Sequence, residues 1–509
     1  MIFKGKVSKL LLMALMVVMA ILVVACGAPA EPQVIEKTVV VEKEVEKIVE
    51  KEVEVIVTQV VEKEVEKEVE VVVTQIVEVE KEAPELEELP YGLTPGKPYE
   101  GTELNFLICC ATAPQFANLN QRSQEEFFEL TGIKVTWGDA PFAEFQSKII
   151  AEATAGSPAF DVFAYVDAWG PSIQQYLEPL DSYIERDGWD LENYPNAYLS
   201  AGEGFSNGVR YGLPFRGHPF MFFYRQDVFD DLGLEAPTTW GELEEAAETI
   251  KAETDLDPIS VYYGINAGQN LFMWESFLWS NGSDILDEDY KPIFNNEAGV
   301  EATQRYIDLL NNDLTGAGSV AFNEQEANAE YNQGRAAMFI GWWWMYSRMT
   351  NCENNPAEVC ENSAFAPTPG WEGKDAASYG HIWQVSINQF SRNKEATWEF
   401  MKWMLNEEIE KAVVLDDSDP SVDTNVAVRL SVLDDDEVNE AHGGLQRVGA
   451  KVLESARTQV MLPEWPEMLS VLEVAINDMA ANGTDVQETL DQAADDISDI
   501  MERGGYYDE

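Results

Sequence analysis

The chain has 509 residues, 45% of them hydrophobic, with 14 Trp, 18 Tyr and 23 Phe. That is enough to bury the cores of at least two domains. Its formal net charge of −59 repels nucleic acid and anionic lipid headgroups, and excludes both as partners of the folded body.

Residues 1–30 carry +3, from Lys4, Lys6 and Lys9, and residues 31–90 carry −12, so the remaining −50 lies on the body. Acid spread over a whole fold suits a saline or acidic medium, where charge is screened or protonated. A pocket for a cationic ligand needs only two or three carboxylates and does not account for so many.

Residues 1–26 open with three lysines, continue as an apolar run Leu10–Ala25, and reach Val23-Val24-Ala25-Cys26-Gly27. The run is short for a membrane span and has the layout of a secretory signal. The small-residue-then-Cys end resembles a bacterial lipobox, which implies that Cys26 is lipidated and becomes the mature N-terminus. Residues 27–100 read as a spacer. VEKEVEVIVTQ at 49–59 returns as VEKEVEVVVTQ at 65–75, a period that is neither a heptad multiple nor a solenoid repeat. It lifts the body off the membrane, as partial helix, coiled pair or disordered tether.

From residue 102 the character changes. Glu103–Cys110 reads as a buried strand, and Gln121–Leu130 has helical spacing and ends at Thr131-Gly132, a natural C-cap. Ile133–Trp137 is a strand, Phe142–Thr154 a helix closed by Ala155-Gly156-Ser157-Pro158, and Phe160–Val166 a third strand. Alternating strands and helices predict a parallel sheet with crossover helices.

Gly204-Phe205-Ser206-Asn207-Gly208 spells GxSxG, but a nucleophile elbow needs a strand before the Ser and a helix after it. Asn-Gly here reads as a hairpin turn. The only histidines are His218, His381 and His442, and no second catalytic motif accompanies them. Paired carboxylates of a glycoside hydrolase cannot be picked out among so many acids. The run Asp434-Asp435-Asp436-Glu437 lacks the glycine and spacing of a calcium loop and reads as solvated surface.

Tyr331–Tyr346, YNQGRAAMFIGWWWMY, is the most unusual stretch. A polar turn leads into a short apolar run, which predicts a buried strand. Three tryptophans follow, each with an N–H that needs a partner when buried, and three in a row cannot all face one way. At least one is expected to point into a cleft. Cys352 and Cys360 bracket a polar loop and are candidates for a disulfide in an oxidising compartment. The adjacent Cys109 and Cys110 read as buried free thiols, because a bridge between neighbours is strained. No CxxC or His–Cys spacing points to zinc, and nothing calls for a metal or cofactor.

The motifs TGIKVTW, KIIAEATAGSPAFDVFAYVD, YLEPLDSYI, NGVRYGLPF, FFYRQDVFDDLGLEAPTTWGELEEAAETI, YNQGRAAMFIGWW, INQFSRNKEATWEFMKWML and VLEVAINDMAANGTDVQETLDQAADDI follow one another in the chain. In type and order they resemble the extracellular solute-binding proteins of ABC importers, of the sugar-binding family 1 type, from about 102 to 503. The resemblance implies an α/β, two-lobed periplasmic-binding-protein-like fold (class II), each lobe a mostly parallel sheet flanked by helices, joined by a hinge. It implies lobe one at 101–213, lobe two at 214–379, a return to lobe one at 380–435, and C-terminal helices, mainly of lobe two, at 436–509. The chain crosses between lobes at Gly212-Leu213-Pro214 and Tyr379–Trp383.

The same resemblance implies the ligand contacts. Asp167 offers its carboxylate to a sugar, with Tyr165 or Trp169 beside it; the plain alternative is that Asp167 caps the helix it precedes. Phe272 or Trp274 presents a ring, while Trp279 is core. Arg216 and His218 stand near a polar contact, although a surface arginine and a satisfied core histidine are the simpler readings. Trp343 falls on the family's stacking platform, leaving Trp342 and Trp344 to packing, and Tyr379 and Trp383 join from the second crossing. Some maltodextrin-type members carry a further cleft Trp where this chain has Leu472.

The expected function is capture of a sugar between the lobes and its delivery to ABC permease subunits, without catalysis. The body is a monomer outside the cytoplasmic membrane, touching it only through the lipid on Cys26. Two alternatives stand beside it: a polyamine- or cation-binding protein of the same fold, and a secreted glycoside hydrolase.

Overall fold

The computed structural model describes residues 87–109, 114–205, 207–416 and 427–507. The signal with Cys26, the repeat at 49–75, Cys110 and Ser206 lie outside them. Among the described residues no helix is long and apolar enough to cross a membrane.

Local chemistry sets the elements. A helical stretch from Pro114 to Thr131, with one π turn at Ser123–Phe127, stops where Gly132 takes φ 71°, a conformation open to glycine at little cost. Thr239 and Glu242 form a capping box that starts the helix Trp240–Glu253, and Asn323 and Glu326 form another before Glu324–Asn332. Each box satisfies backbone N–H groups that the first turn leaves unpaired.

Nine strands are present among the described residues: β1 Glu103–Cys109, β2 Lys134–Ala140, β3 Val162–Val166, β4 Leu213–Arg225, β5 Asp257–Ser260, β6 Ala336–Trp342, β7 Ser363–Pro367, β8 Ser378–Ile387 and β9 Ala456–Arg457. They follow the order β2-β1-β3-β8-β4-β6-β5, with β7 also on β4 and β9 on β8. In lobe one β1 runs parallel to β2 and β3, and β8 returns antiparallel to β3. In lobe two β5 and β6 are parallel, and β6 and β7 run antiparallel to β4. Within each lobe all strands but one point the same way.

β4 explains how two lobes share one sheet path. Residues 213–219 pair with β8, whereas residues 220–225 pair with β6 and β7. Nearly every side chain in the run LPFRGHPFMFFYR is buried, as expected of a strand covered on both faces. β4 and β8 therefore pass side by side through the junction, each with one end in lobe one.

Two apolar cores sit on either side. Lobe one packs Phe106, Phe127, Phe163, Trp398, Phe400 and Trp403. Lobe two packs Phe222, Trp240, Trp274, Phe277 and Tyr306 against the C-terminal helices through Leu472 and Ile497. Trp169 touches both. The chain also reaches lobe one before its first strand. Leu93 is buried, the Thr94 N–H and hydroxyl donate to Glu399 at 2.8 and 2.7 Å, and Lys402 donates to the Gly92 carbonyl at 2.6 Å.

Cys352 and Cys360 form the expected disulfide. The reading of Cys109 as a free thiol is corrected: it is disulfide-bonded, to a partner outside the described residues. Glu203 pairs antiparallel with Arg210, and the Gly204 N–H donates to the Val209 carbonyl. No helix follows the GxSxG motif there, so the elbow geometry is not met.

Candidate ligand site between the lobes

Asp167 follows β3 and is completely buried. Its carboxyl caps nothing. The Tyr379 hydroxyl lies 3.3 Å from both oxygens, His381 Nδ1 lies 2.9 Å from Oδ1, and those two donors stand 3.1 Å from each other. Tyr379 and His381 alternate on β8, so their side chains share a face. Three residues, one just past β3 and two on β8, thus meet at the junction that both lobes share.

Aromatic rings wall this hub. Trp342, the last residue of β6, is the centre: its ring lies 4.8 Å from Phe220, 5.2 Å from Phe272, 5.5 Å from Tyr379 and 5.6 Å from His381. Its indole N–H donates to Glu324 at 2.8 Å, which fixes the ring's orientation. His218 stacks on His381, with Trp342 and Trp344 at its edge.

The electrostatics follow from burial. The Tyr379 hydroxyl is pushed well above its usual value by burial, then by the charges of Asp167 and Glu275. His218 is held well below the ordinary imidazole range by burial, then by His381 and Arg216. Glu275 lies well above the ordinary carboxyl range for the same first reason, with Asp167 adding to it. Burial carries Glu324 up to about 7, against the pull of its bond from Trp342.

The predicted site residues divide. Asp167, His218, Phe272 and Tyr379 meet at the hub. Trp169 and Trp383 lie 6.3 Å apart beside Phe145 on the lobe-one side, with Trp383 also 6.3 Å from His381. Arg216 lies over the Phe116 ring at 4.8 Å. Tyr165 belongs to the lobe-one core, its hydroxyl against Gly212. Trp274 belongs to the lobe-two core, its N–H on Thr303 at 2.8 Å.

Trp343 requires a correction. It is wholly buried, its N–H donates to the Gly217 carbonyl at 2.9 Å, and its ring lies where a Cβ on Gly449 would sit 2.1 Å away. No face is left for a ligand. The reason is local: β6 ends at Trp342, and the short helix Trp343–Met345 turns the next ring under the helix Leu445–Leu453. The neighbour expected to pack, Trp342, is the one at the hub.

Sequence reasoning also missed His381, Glu275 and Glu324. A lone acid in the apolar helix LFMWESFLWS was a legible signal for Glu275, because carboxylates are rarely buried without purpose. His381 was legible only through its register with His218. Glu324 looks like an ordinary first-turn acid and gave no signal.

Comparison with known proteins agrees with this architecture. A probable amino-acid ABC transporter periplasmic-binding protein of Sinorhizobium fredii is 24% identical over 426 residues, covering 81% of this chain and 92% of that one. A mannitol-binding protein of Pseudomonas aeruginosa is 28% identical over 224 residues, 42% of this chain and 49% of its own. The crystal structure of an ABC transporter solute-binding protein of Agrobacterium radiobacter K84 in complex with ribitol superposes with a TM-score of 0.67 at 22% identity, covering 79% of this chain and all of that one. The description of bacterial extracellular solute-binding proteins matches residues 112–411. With two lobes, two shared strands and a polar hub between them, the chain belongs to the bacterial extracellular solute-binding protein family.

Proposed function

We propose that this protein captures a sugar or polyol between its lobes and hands it to the permease of an ABC importer, held outside the cytoplasmic membrane by lipid on Cys26. The observation that carries the reading is the Asp167–Tyr379–His381 hub, set at the junction of the lobes and walled by Trp342 and Phe272. A carboxylate accepts from neighbouring hydroxyls, and an aromatic face suits the C–H face of a sugar. The names of the mannitol-binding relative and the ribitol complex support the ligand class, while the name of the Sinorhizobium relative favours an amino acid.

The action is binding without chemistry. Closing two lobes is a hinge motion that a few residues on shared strands absorb, and a solute drives it only as far as it prefers the closed state. A thermal-shift screen of sugars, polyols, amino acids and polyamines on the mature chain tests the reading, because a ligand that binds only the folded form raises its melting temperature. Stabilisation by hydroxylated members is expected. Stabilisation by amino acids alone, or turnover of an oligosaccharide, contradicts it.

A further inference from the structure

Buried carboxyl groups belong to the elements of both lobes that build the hub: the helix Leu271–Ser280, which sets the Phe272 ring 5.2 Å from Tyr379, also carries Glu275. Asp167 comes from lobe one, and Glu275, in the helix Leu271–Ser280, from lobe two; both are wholly buried. Glu324, 4% exposed, stands behind Trp342 as a third. Their partners are neutral or conditional. Asp167 has Tyr379 and His381, the latter charged only when protonated. Gln459 donates to both oxygens of Glu275 at 3.1 and 3.2 Å, and Glu324 takes Trp342 and Gln325.

Among the described residues no ion pair joins any of the three to a Lys or Arg. The nearby arginines hold other partners and act on these carboxyls only at a distance: Arg457, paired with Asp284, on Glu275, and Arg348, over the Trp344 ring, on Glu324. Buried charges in proteins are ordinarily paired. Here Asp167 comes from one lobe and Glu275 from the other, and the charge of Asp167 adds to the cost of ionising Glu275. A solute with a positive charge between them removes that cost in the closed state alone, which is what couples binding to closure.

A second observation is independent of the acids. His218, 7% exposed, is stacked on His381, and its Nδ1 has no hydrogen-bond partner. A neutral imidazole with its proton on Nε2 offers Nδ1 as an acceptor, and an ammonium N–H is the donor it suits. The faces of Trp342 and Tyr379 favour the same charge. Among the described residues no three His, Cys, Asp or Glu are arranged to hold a metal ion, so the cation these groups fit is an organic one.

We propose that the solute is a hydroxylated compound bearing a protonated amine, an amino sugar or amino alditol, whose ammonium lies between Asp167 of one lobe and Glu275 of the other. The proposal rests on the sugar-or-polyol reading above and narrows it.

The test is calorimetric titration of the mature chain with matched pairs at pH 7 and fixed ionic strength: glucosamine against glucose and N-acetylglucosamine, glucamine against sorbitol, with spermidine as a cation without hydroxyls. At least one amine is expected to bind 30-fold or more tighter than its neutral partner. In Glu275→Gln, which keeps the side chain's size, that ratio is expected to fall below fivefold, with the melting temperature of the free protein confirming the fold. Equal or tighter binding of the neutral partner in every pair overturns this proposal and leaves the broader reading standing. Spermidine binding tighter than every hydroxylated member overturns the hydroxylated frame, and no binding by any member overturns both readings.

Discussion

His218 and His381 are register partners on the two strands the lobes share, and their rings stack at 5.9 Å with 19° between their planes. Two imidazoles this close do not both carry charge at low cost, and burial adds to the cost for His218. A histidine whose folded value lies below its unfolded value of about 6.5 stabilises the fold above that pH, and the contribution is lost as the pH falls below it. One such group costs at most about 1.4 kcal/mol per pH unit. His218→Phe keeps a stacking ring and removes the titration. Relative to the wild type, the variant is expected to gain stability between pH 7.5 and pH 5 in urea unfolding; parallel pH profiles contradict this.

Glu324 works in the opposite direction. A carboxyl raised to about 7 by burial stabilises the fold fully below its unfolded value of about 4.5, and that contribution disappears as the pH rises through about 7. Ionised, it costs up to about 3 kcal/mol. Glu324→Gln still accepts the Trp342 N–H and cannot ionise. It is expected to match the wild type at pH 4 and to exceed it by up to about 3 kcal/mol at pH 9. Equal stability at both pH values contradicts this account of the buried carboxyl.

Trp343 and Gly449 form one packing unit. Gly449→Ala places a methyl group 2.1 Å from the indole ring, an overpacking expected to cost about 1–3 kcal/mol. Trp343→Ala opens a cavity instead, at about 3–5 kcal/mol. Denaturant midpoints measure both, and losses well under 1 kcal/mol would mean that the ring packs elsewhere.

The Cys352–Cys360 bridge closes a loop with a sequence separation of 8 and has one exposed end. Chain-entropy arguments assign a loop of that size about 2.5 kcal/mol. The double variant Cys352→Ala, Cys360→Ala is expected to lose about that much, and a reductant is expected to lower the melting temperature of the wild type by more than that of the variant, which keeps the bridge at Cys109. A full loss that persists in the variant without reductant, with no reductant effect on the wild type, would place the effect in the side chains.

Lobe one was the most legible part of the chain. The predicted helix Phe142–Thr154 is present with those bounds, and the strand expected at Ile133–Trp137 lies at Lys134–Ala140. Both come from local periodicity and caps, which a short window contains. The fates of the three tryptophans did not. Adjacent residues differ only in which way the backbone turns, and for Trp343 that turn is made tolerable by a glycine far along the chain. Asp167 and Tyr379 were named by resemblance, but their contact was not legible, because Tyr379 and His381 approach Asp167 only once β8 pairs with β3. The thiol of Cys109 was misread because a cysteine at the end of an apolar strand reads as a buried free thiol, whereas it is disulfide-bonded.

The central claim is that a hydroxylated solute is captured at the Asp167 hub beside Trp342. Its most direct measurement is calorimetric titration of the tightest solute from the screen into the wild type, Asp167→Asn and Trp342→Ala. Hydrogen bonds to a buried carboxylate are worth about 1.5–3 kcal/mol each, so Asp167→Asn is expected to weaken binding by at least about tenfold, and Trp342→Ala by a similar factor. Affinities within threefold of the wild type in both folded variants would contradict the account.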